Sequence, residues 1–271
     1  MNSSYWHKQS NTTPLFPSLD WSRPESRHLA GKLLVVGGSL HAFAAPAEAY
    51  TQAVKAGIGT TRVLLPDALR RTVGQLLETG EFAPSTPSGS FGASALAELL
   101  DCSAWADATL VAGDLGRNAE TAILLERFLA KQSAAVTLTK DAIDYAVSTP
   151  GSVLHRPDTL LVPSLSQLRR LGMAAGFEQP VQFSMDLLRL VDWLHAFTQR
   201  FAPYIITQHL DTLFVAVGGQ VSTTRLDSPQ PVWRVRAAAT AAVWWLQHPS
   251  KPFDSLTTAA YHSCKSISEM S

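Results

Sequence analysis

The sequence predicts an α/β domain with a mostly parallel sheet and helices on both faces. Three observations carry this. From Lys32 onward, short apolar and partly β-branched runs alternate with helical stretches of about 10–15 residues. The runs stop at glycine, proline or aspartate, as at Gly37-Gly38, Pro66-Asp67 and Gly113-Asp114. The first unit is a strand over 32–36, the turn Gly37-Gly38-Ser39 and a small-residue helix over 44–56. A buried strand feeding a glycine turn and a helix is how α/β folds build anion and nucleotide sites.

The elements follow in order. Residues 1–28 are rich in Ser, Thr, Pro and Asn and read as an extension, either a partly ordered tail or one with Trp6, Phe16 and Trp21 as anchors on a neighbouring surface. The rest, 29–271, reads as one domain. A second strand spans 61–65, a helix 68–77, and a loop of Pro, Ser and Gly 79–91. A helix over 94–100 takes Ser94 as N-cap. A strand over 108–112 ends in Gly113-Asp114-Leu115-Gly116 and leads to an amphipathic helix over 119–131. A strand over 135–139 and a helix over 141–146 come next. Another strand, 159–162, is stopped by Pro163 and followed by helices over 166–171 and 187–201. Strands over 204–207, 213–217 and 220–224 follow, the last two joined by Gly218-Gly219 as a hairpin. Helices over 234–247 and 256–265 close the pattern.

Composition bounds the function. Of 271 residues, 46% are hydrophobic and 16% charged, which favours a folded domain over disorder. Formal net charge is zero, so no basic field draws nucleic acid or anionic lipid, and neutrality favours self-association into a homo-oligomer. Two cysteines without a spacing motif, and an N-terminal stretch without a signal-like apolar core, point to a reduced, cytoplasmic chain with no membrane partner.

Ligands in such sheets bind beyond the carboxyl ends of the strands. Gly38 and Ser39 are therefore candidates for contact with a ligand phosphate or ribose, the alternative being a tight turn with Ser39 as a helix cap. Gly113, Asp114, Gly116, Arg117 and Asn118 form a turn into a helix whose N-terminus, beside Arg117, suits an anion. Lys140 and Asp141 stand at the next strand end. Arg234 and Arg236 read first as a solvated helix start and second as anion-binding charge. Trp233, Trp244 and Trp245 read as core or subunit-interface aromatics. The histidines have no metal-ligand spacing, so no metal site is expected from them. The turn G-G-S is not G-x-G-x-x-G, which leaves a Rossmann oxidoreductase as a weak alternative, and no G-x-S-x-G elbow is present.

In this order and spacing the turns resemble the ribokinase-like NAD(P)H-hydrate dehydratase family, from about Gly31 to the end. The family opens with a strand and G-G-S, then G-A-P, then A-x-x-x-G-A-G. Here Gly37-Gly38-Ser39, Ala44-Ala45-Pro46 and Val54 to Gly59 stand in those places. Its A-D-A-x-x-x-G-P-G-L-G is matched by Ala106 to Gly116, with Asp114 where proline is expected. Its D-A-D-A-L turn corresponds to Thr139 to Ile143. The resemblance implies ATP or ADP, with Mg2+, as cofactor. It also implies phosphorylation of the hydroxyl of hydrated NAD(P)H followed by loss of phosphate.

The same resemblance shows what has changed. Where T-P-H-x-x-E is expected the chain has Val162-Pro163-Ser164-Leu165-Ser166-Gln167. No lysine stands near Thr207-Gln208-His209, where a K-G turn is expected. The G-T-G-D turn, whose backbone N–H groups form an anion hole and whose aspartate is the base, is replaced by Val232-Trp233-Arg234-Val235. The nearest acid is Asp227. The expectation is a nucleotide-binding protein whose family catalysis is reduced or lost. No single catalytic residue is identifiable, and a scaffolding pseudoenzyme is the alternative.

Overall fold

The computed structural model describes residues 4–74, 80–226 and 232–265. Ten strands form one sheet: β1 (Trp6–Gln9), β2 (Lys32–Gly37), β3 (Thr60–Pro66), β4 (Gly80–Ala83), β5 (Ala108–Gly113), β6 (Ala135–Thr139), β7 (Thr159–Val162), β8 (Tyr204–His209), β9 (Thr212–Val217) and β10 (Gln220–Arg225). Their order is β1-β10-β9-β8-β7-β6-β5-β2-β3-β4. Pairing is parallel from β8 through β4, antiparallel across β8–β9–β10, and parallel again between β10 and β1.

The helices are α1 (Ser18–Trp21), α2 (Ala44–Lys55), α3 (Arg70–Val73), α4 (Leu96–Trp105), α5 (Ala119–Lys131), α6 (Asp141–Ser148), α7 (Gly151–Leu154), α8 (Leu165–Ala174), α9 (Leu187–Arg200), α10 (Trp233–Gln247) and α11 (Pro252–Lys265). Central strands are apolar on both faces, as a sheet covered on both sides requires. Alternate residues of β2 divide between two cores: Leu34 and Val36 pack under α4 to α9, Leu33 and Val35 under α2, α10 and α11. In α10 five alanines from Ala237 to Ala242 are at most 3% exposed. These small side chains let α10 lie close against the sheet and α2.

Several expectations are corrected. Residues 79–91 are not all loop: Gly80–Ala83 adds to β3 as an edge strand, held by backbone pairing that its composition does not advertise. Ser94 is no N-cap, since it lies inside a short 3-10 turn, Ala93–Ala95, that precedes α4. The helix expected over 68–77 is a 3-10 turn, Asp67–Leu69, and the single turn α3, with 75–79 outside the described residues. The extension supplies β1. Trp6 Nε1 donates to Thr223 Oγ1 at 3.0 Å, and Phe16 meets Phe253 edge-on at 6.0 Å. Trp21, however, is 90% exposed and anchors nothing. Trp244 and Trp245 are buried in the core, which removes them as interface aromatics.

Candidate functional site

The direction in which successive strands are added reverses between the parallel neighbours β2 and β5. From β2 the connections run outward to β3 and β4, and from β5 they run the other way to β6, β7 and β8. The carboxyl ends of β2 and β5 thus flank the switch point where such sheets hold ligands. Gly38, Gly113 and Lys140 end neighbouring strands, so the expected crevice turns do meet.

Glycine makes this meeting possible. The Gly38 N–H donates to Gly113 O at 3.0 Å. A Cβ on Gly37 would lie 2.5 Å from Gly113 O, and one on Gly113 would lie 2.6 Å from Lys140 Cβ. Gly38 and Ser39 are buried, and Ser39 makes a backbone turn to Ala42.

Asp114 and Lys140 bridge the cluster. Both hold positive φ, 59° and 53°, which is uncommon outside glycine and concentrates at functional or constrained positions. Asp114 Oδ2 accepts the Ala45 N–H of α2 at 2.7 Å, and Oδ1 is ion-paired with Lys140 Nζ. Asp141 Oδ2 accepts the Leu115 N–H at 2.8 Å, while Oδ1 is buried without a hydrogen-bond partner. Burial pushes the Asp141 carboxyl above the ordinary carboxylate range. The Leu115 N–H opposes this, and Asp114 nearby reinforces it.

Beside this cluster lies a cavity of about 460 Å3. Gly116, Arg117, Asn118 and Asp141 line it, with Asp144, Tyr145 and Arg170. Gly38, Ser39, Gly113, Asp114 and Lys140 belong to the adjoining turn cluster. Asn118 caps α5 by accepting the Glu120 N–H at 2.8 Å. Its own N–H donates to Tyr145 Oη at 3.1 Å, and Tyr145 donates on to Gly116 O. This fixes the turn against α6.

The far wall is organised by Gln167. Ser164 and Gln167 form a capping box at α8. Gln167 Nε2 donates to Lys140 O at 2.7 Å and to Asp144 Oδ1 at 3.0 Å. Arg234 donates to Gln167 Oε1 at 2.9 Å, and Arg170 pairs with Asp144. Burial lowers the Arg234 pKa, opposed by Asp144 and Asp141. Arg236 pairs with Glu48 at 2.6 Å. The solvated helix start expected for Arg234 and Arg236 is therefore wrong, because both are engaged. Asp227 lies outside the described residues.

The sequence reading passed over Asp144, Tyr145 and Arg170. Asp141, Asp144 and Tyr145 recur at helical spacing on α6, a signal open to inspection. Arg170 carries none, since only the packing of α8 on α6 brings it here. For an anion the site fits at Arg117, which is exposed, has no ion pair among the described residues and sits beside the start of the 13-residue α5. For a metal ion there is no group of three or more His, Cys, Asp or Glu among the described residues. An Mg2+ carried mainly by phosphate needs only one or two carboxylates, and Asp141 and Asp144 line the cavity.

No protein-family model matches the chain. A bifunctional NAD(P)H-hydrate repair enzyme of Moorella thermoacetica is 30% identical over 150 residues, 53% of this chain. That match spans only 28% of the relative's length. A ribokinase-like superfamily protein from Enterococcus faecalis V583 superposes with TM-score 0.75 at 15% identity, over 97% of this chain and 88% of that one. An ADP/ATP-dependent NAD(P)H-hydrate dehydratase from Bacillus subtilis, co-crystallized with ATP/Mg2+, gives TM-score 0.60 at 12% identity, over 93% and 87%. The chain has the ribokinase-like fold, and its sequence is similar over about half its length to an NAD(P)H-hydrate repair enzyme.

Proposed function

We propose that this chain is a divergent relative of the NAD(P)H-hydrate dehydratases. It binds ATP or ADP in the crevice beyond β2, β5 and β6, with the lyase chemistry reduced or lost. The observation that carries this reading is the Arg234–Gln167 hydrogen bond at the start of α10. The resemblance puts a glycine-rich anion hole and a basic aspartate there. A guanidinium is always protonated and has only donors, so it cannot take a proton from a hydroxyl, and Val232 and Trp233 block the close backbone approach that glycine allows.

Arg117 and the start of α5 would take the phosphate charge, and Asp141 would hold Mg2+. That ion would supply charge neutralisation at the transferred phosphate. Asn118 and Tyr145 keep the turn in place. A thermal-shift panel of ATP, ADP, NADH and NADPH tests the reading. A rise in Tm with ATP or ADP supports it. No rise with either at millimolar concentration overturns it.

A second reading has one specific support. The unpartnered, raised-pKa Asp141 could serve as a displaced base in a remodelled lyase. Family-like turnover that Asp141→Asn abolishes would establish it over the first. A scaffolding role without nucleotide corresponds to a negative panel. The Rossmann oxidoreductase alternative is disfavoured by its first turn, Gly37-Gly38-Ser39, which is not G-x-G-x-x-G, and not by the sheet order, since β4-β3-β2-β5-β6-β7 is itself 3-2-1-4-5-6 when numbered from β2.

We further propose a cytoplasmic homo-oligomer that engages neither nucleic acid nor membrane. Among the described residues no helix is long and apolar enough to cross a membrane. With Trp244 and Trp245 committed to the core, self-association rests on zero net charge. A monomer mass by light scattering at micromolar concentration would contradict it.

A further inference from the structure

The switch-point crevice of this chain is filled by one of its own side chains. Asp114 follows β5, and its carboxylate bridges a positive group beyond β2 on one side and one beyond β6 on the other. One oxygen takes the Ala45 N–H of the 12-residue α2, whose N-cap residue, Phe43, offers no side-chain cap. The other pairs with Lys140 at the end of β6. The Asp114 side chain is 10% exposed and that of Lys140 32%, so the pair lies between the turns and not on the outer surface. Both residues hold left-handed backbone to reach each other, and Gly113 leaves no room for a Cβ between them.

A helix N-terminus, a lysine and the carboxyl ends of β2 and β5 would together attract a phosphate. Here all of that attraction is spent internally. We propose that Asp114 is a specificity-determining residue: as a built-in anion it neutralises Lys140 and shuts phosphate out of the switch point. Among the described residues lining the 460 Å3 cavity, anionic ligand groups are then left Arg117 and the start of α5, since Arg170 is paired with Asp144. The part of a ligand that reaches Asp114 must be uncharged or cationic.

This inference goes beyond the nucleotide reading and does not rest on it, because its probe is phosphate alone. Calorimetric titration with inorganic phosphate and with pyrophosphate compares wild type, Asp114→Asn, Lys140→Met and the Asp114→Asn/Lys140→Met double variant. Asparagine tolerates positive φ and can still accept the Ala45 N–H, so the fold is retained. Asp114→Gly, which relieves the backbone, is the second variant if asparagine fails to fold.

The expected result is phosphate binding at least tenfold tighter in Asp114→Asn than in wild type. The gain should vanish in the double variant, and Lys140→Met alone should match wild type. Binding by folded Asp114→Asn within twofold of wild type would overturn the proposal. So would a gain that survives Lys140→Met, or weakened wild-type phosphate binding in Lys140→Met alone.

Discussion

The turns after β2, β5 and β6 and the start of α10 face the same crevice end of the sheet, yet they have met different fates. The turns after β2 and β5 carry glycines, and all three are tied together, from the Gly38–Gly113 hydrogen bond to the Asp114–Lys140 pair. The α10 start has no glycine, no acid and no side-chain cap, and carries Arg234 bonded to Gln167. Gly37 and Gly113 are fixed by backbone packing, so losing them would strain the sheet itself. An α10 start needs only to reach the core, and the buried alanines and tryptophans behind it do that without help from its first turn. On the proposed reading, backbone packing keeps a site's frame where the residues that the resemblance makes chemical are replaced.

The largest expected effect separates frame from chemistry directly. Turnover of hydrated NADH with ATP or ADP, read as recovered NADH absorbance, is expected at least a hundredfold below that of an intact family member, the scale of a missing general base. Installing glycine and aspartate at the α10 start alone should not restore it, because catalytic groups act as units. Turnover within about tenfold of the control would erase the contrast.

Next in size is stability behind the α10 start. Trp244 is 1% exposed, stacks on His262 at 4.8 Å between ring centroids and lies under the Arg23 guanidinium. Trp244→Ala should cost about 3–5 kcal/mol in denaturant unfolding. A loss under about 1 kcal/mol would show that α10 is not the anchor described.

Gln167→Ala tests the hub at a smaller scale. It strips the acceptor from Arg234 and a donor from Lys140 O and Asp144, and should cost about 1–3 kcal/mol. Arg234→Ala, which leaves the capping box intact, should cost less, and the reverse order would place the anchor at Arg234.

The smallest effect is a slope. Asp141 has its pKa raised by burial, so the fold favours its protonated form. Its contribution is full below the unfolded-state pKa and is lost as pH rises through the folded one. The stability of wild type relative to Asp141→Asn should therefore fall as pH climbs out of the acid range. A flat difference would mean that the carboxylate is solvated.

Much of the fold was legible. β6 and α5 fall where apolar runs and glycine stops put them, because a doubly covered strand is apolar throughout and its turn needs special backbone. β4 and β1 were not, since edge strands are short, polar and defined by a partner distant in sequence. At the site, Gly113, Gly116, Arg117, Asn118, Lys140 and Asp141 were named from turn chemistry, which is local. That Asp114 and Lys140 neutralise each other was not legible, although they lie only 26 positions apart. Nor was the meeting of Gln167 with Arg234, 67 positions on. The sequence by itself determined the strand–turn–helix units, the absence of an acid at the α10 start and the neutral charge, each a property of a few neighbouring residues. Only the tertiary structure decided which charges are spent on one another, because an ion pair depends on which strand ends the sheet order places side by side.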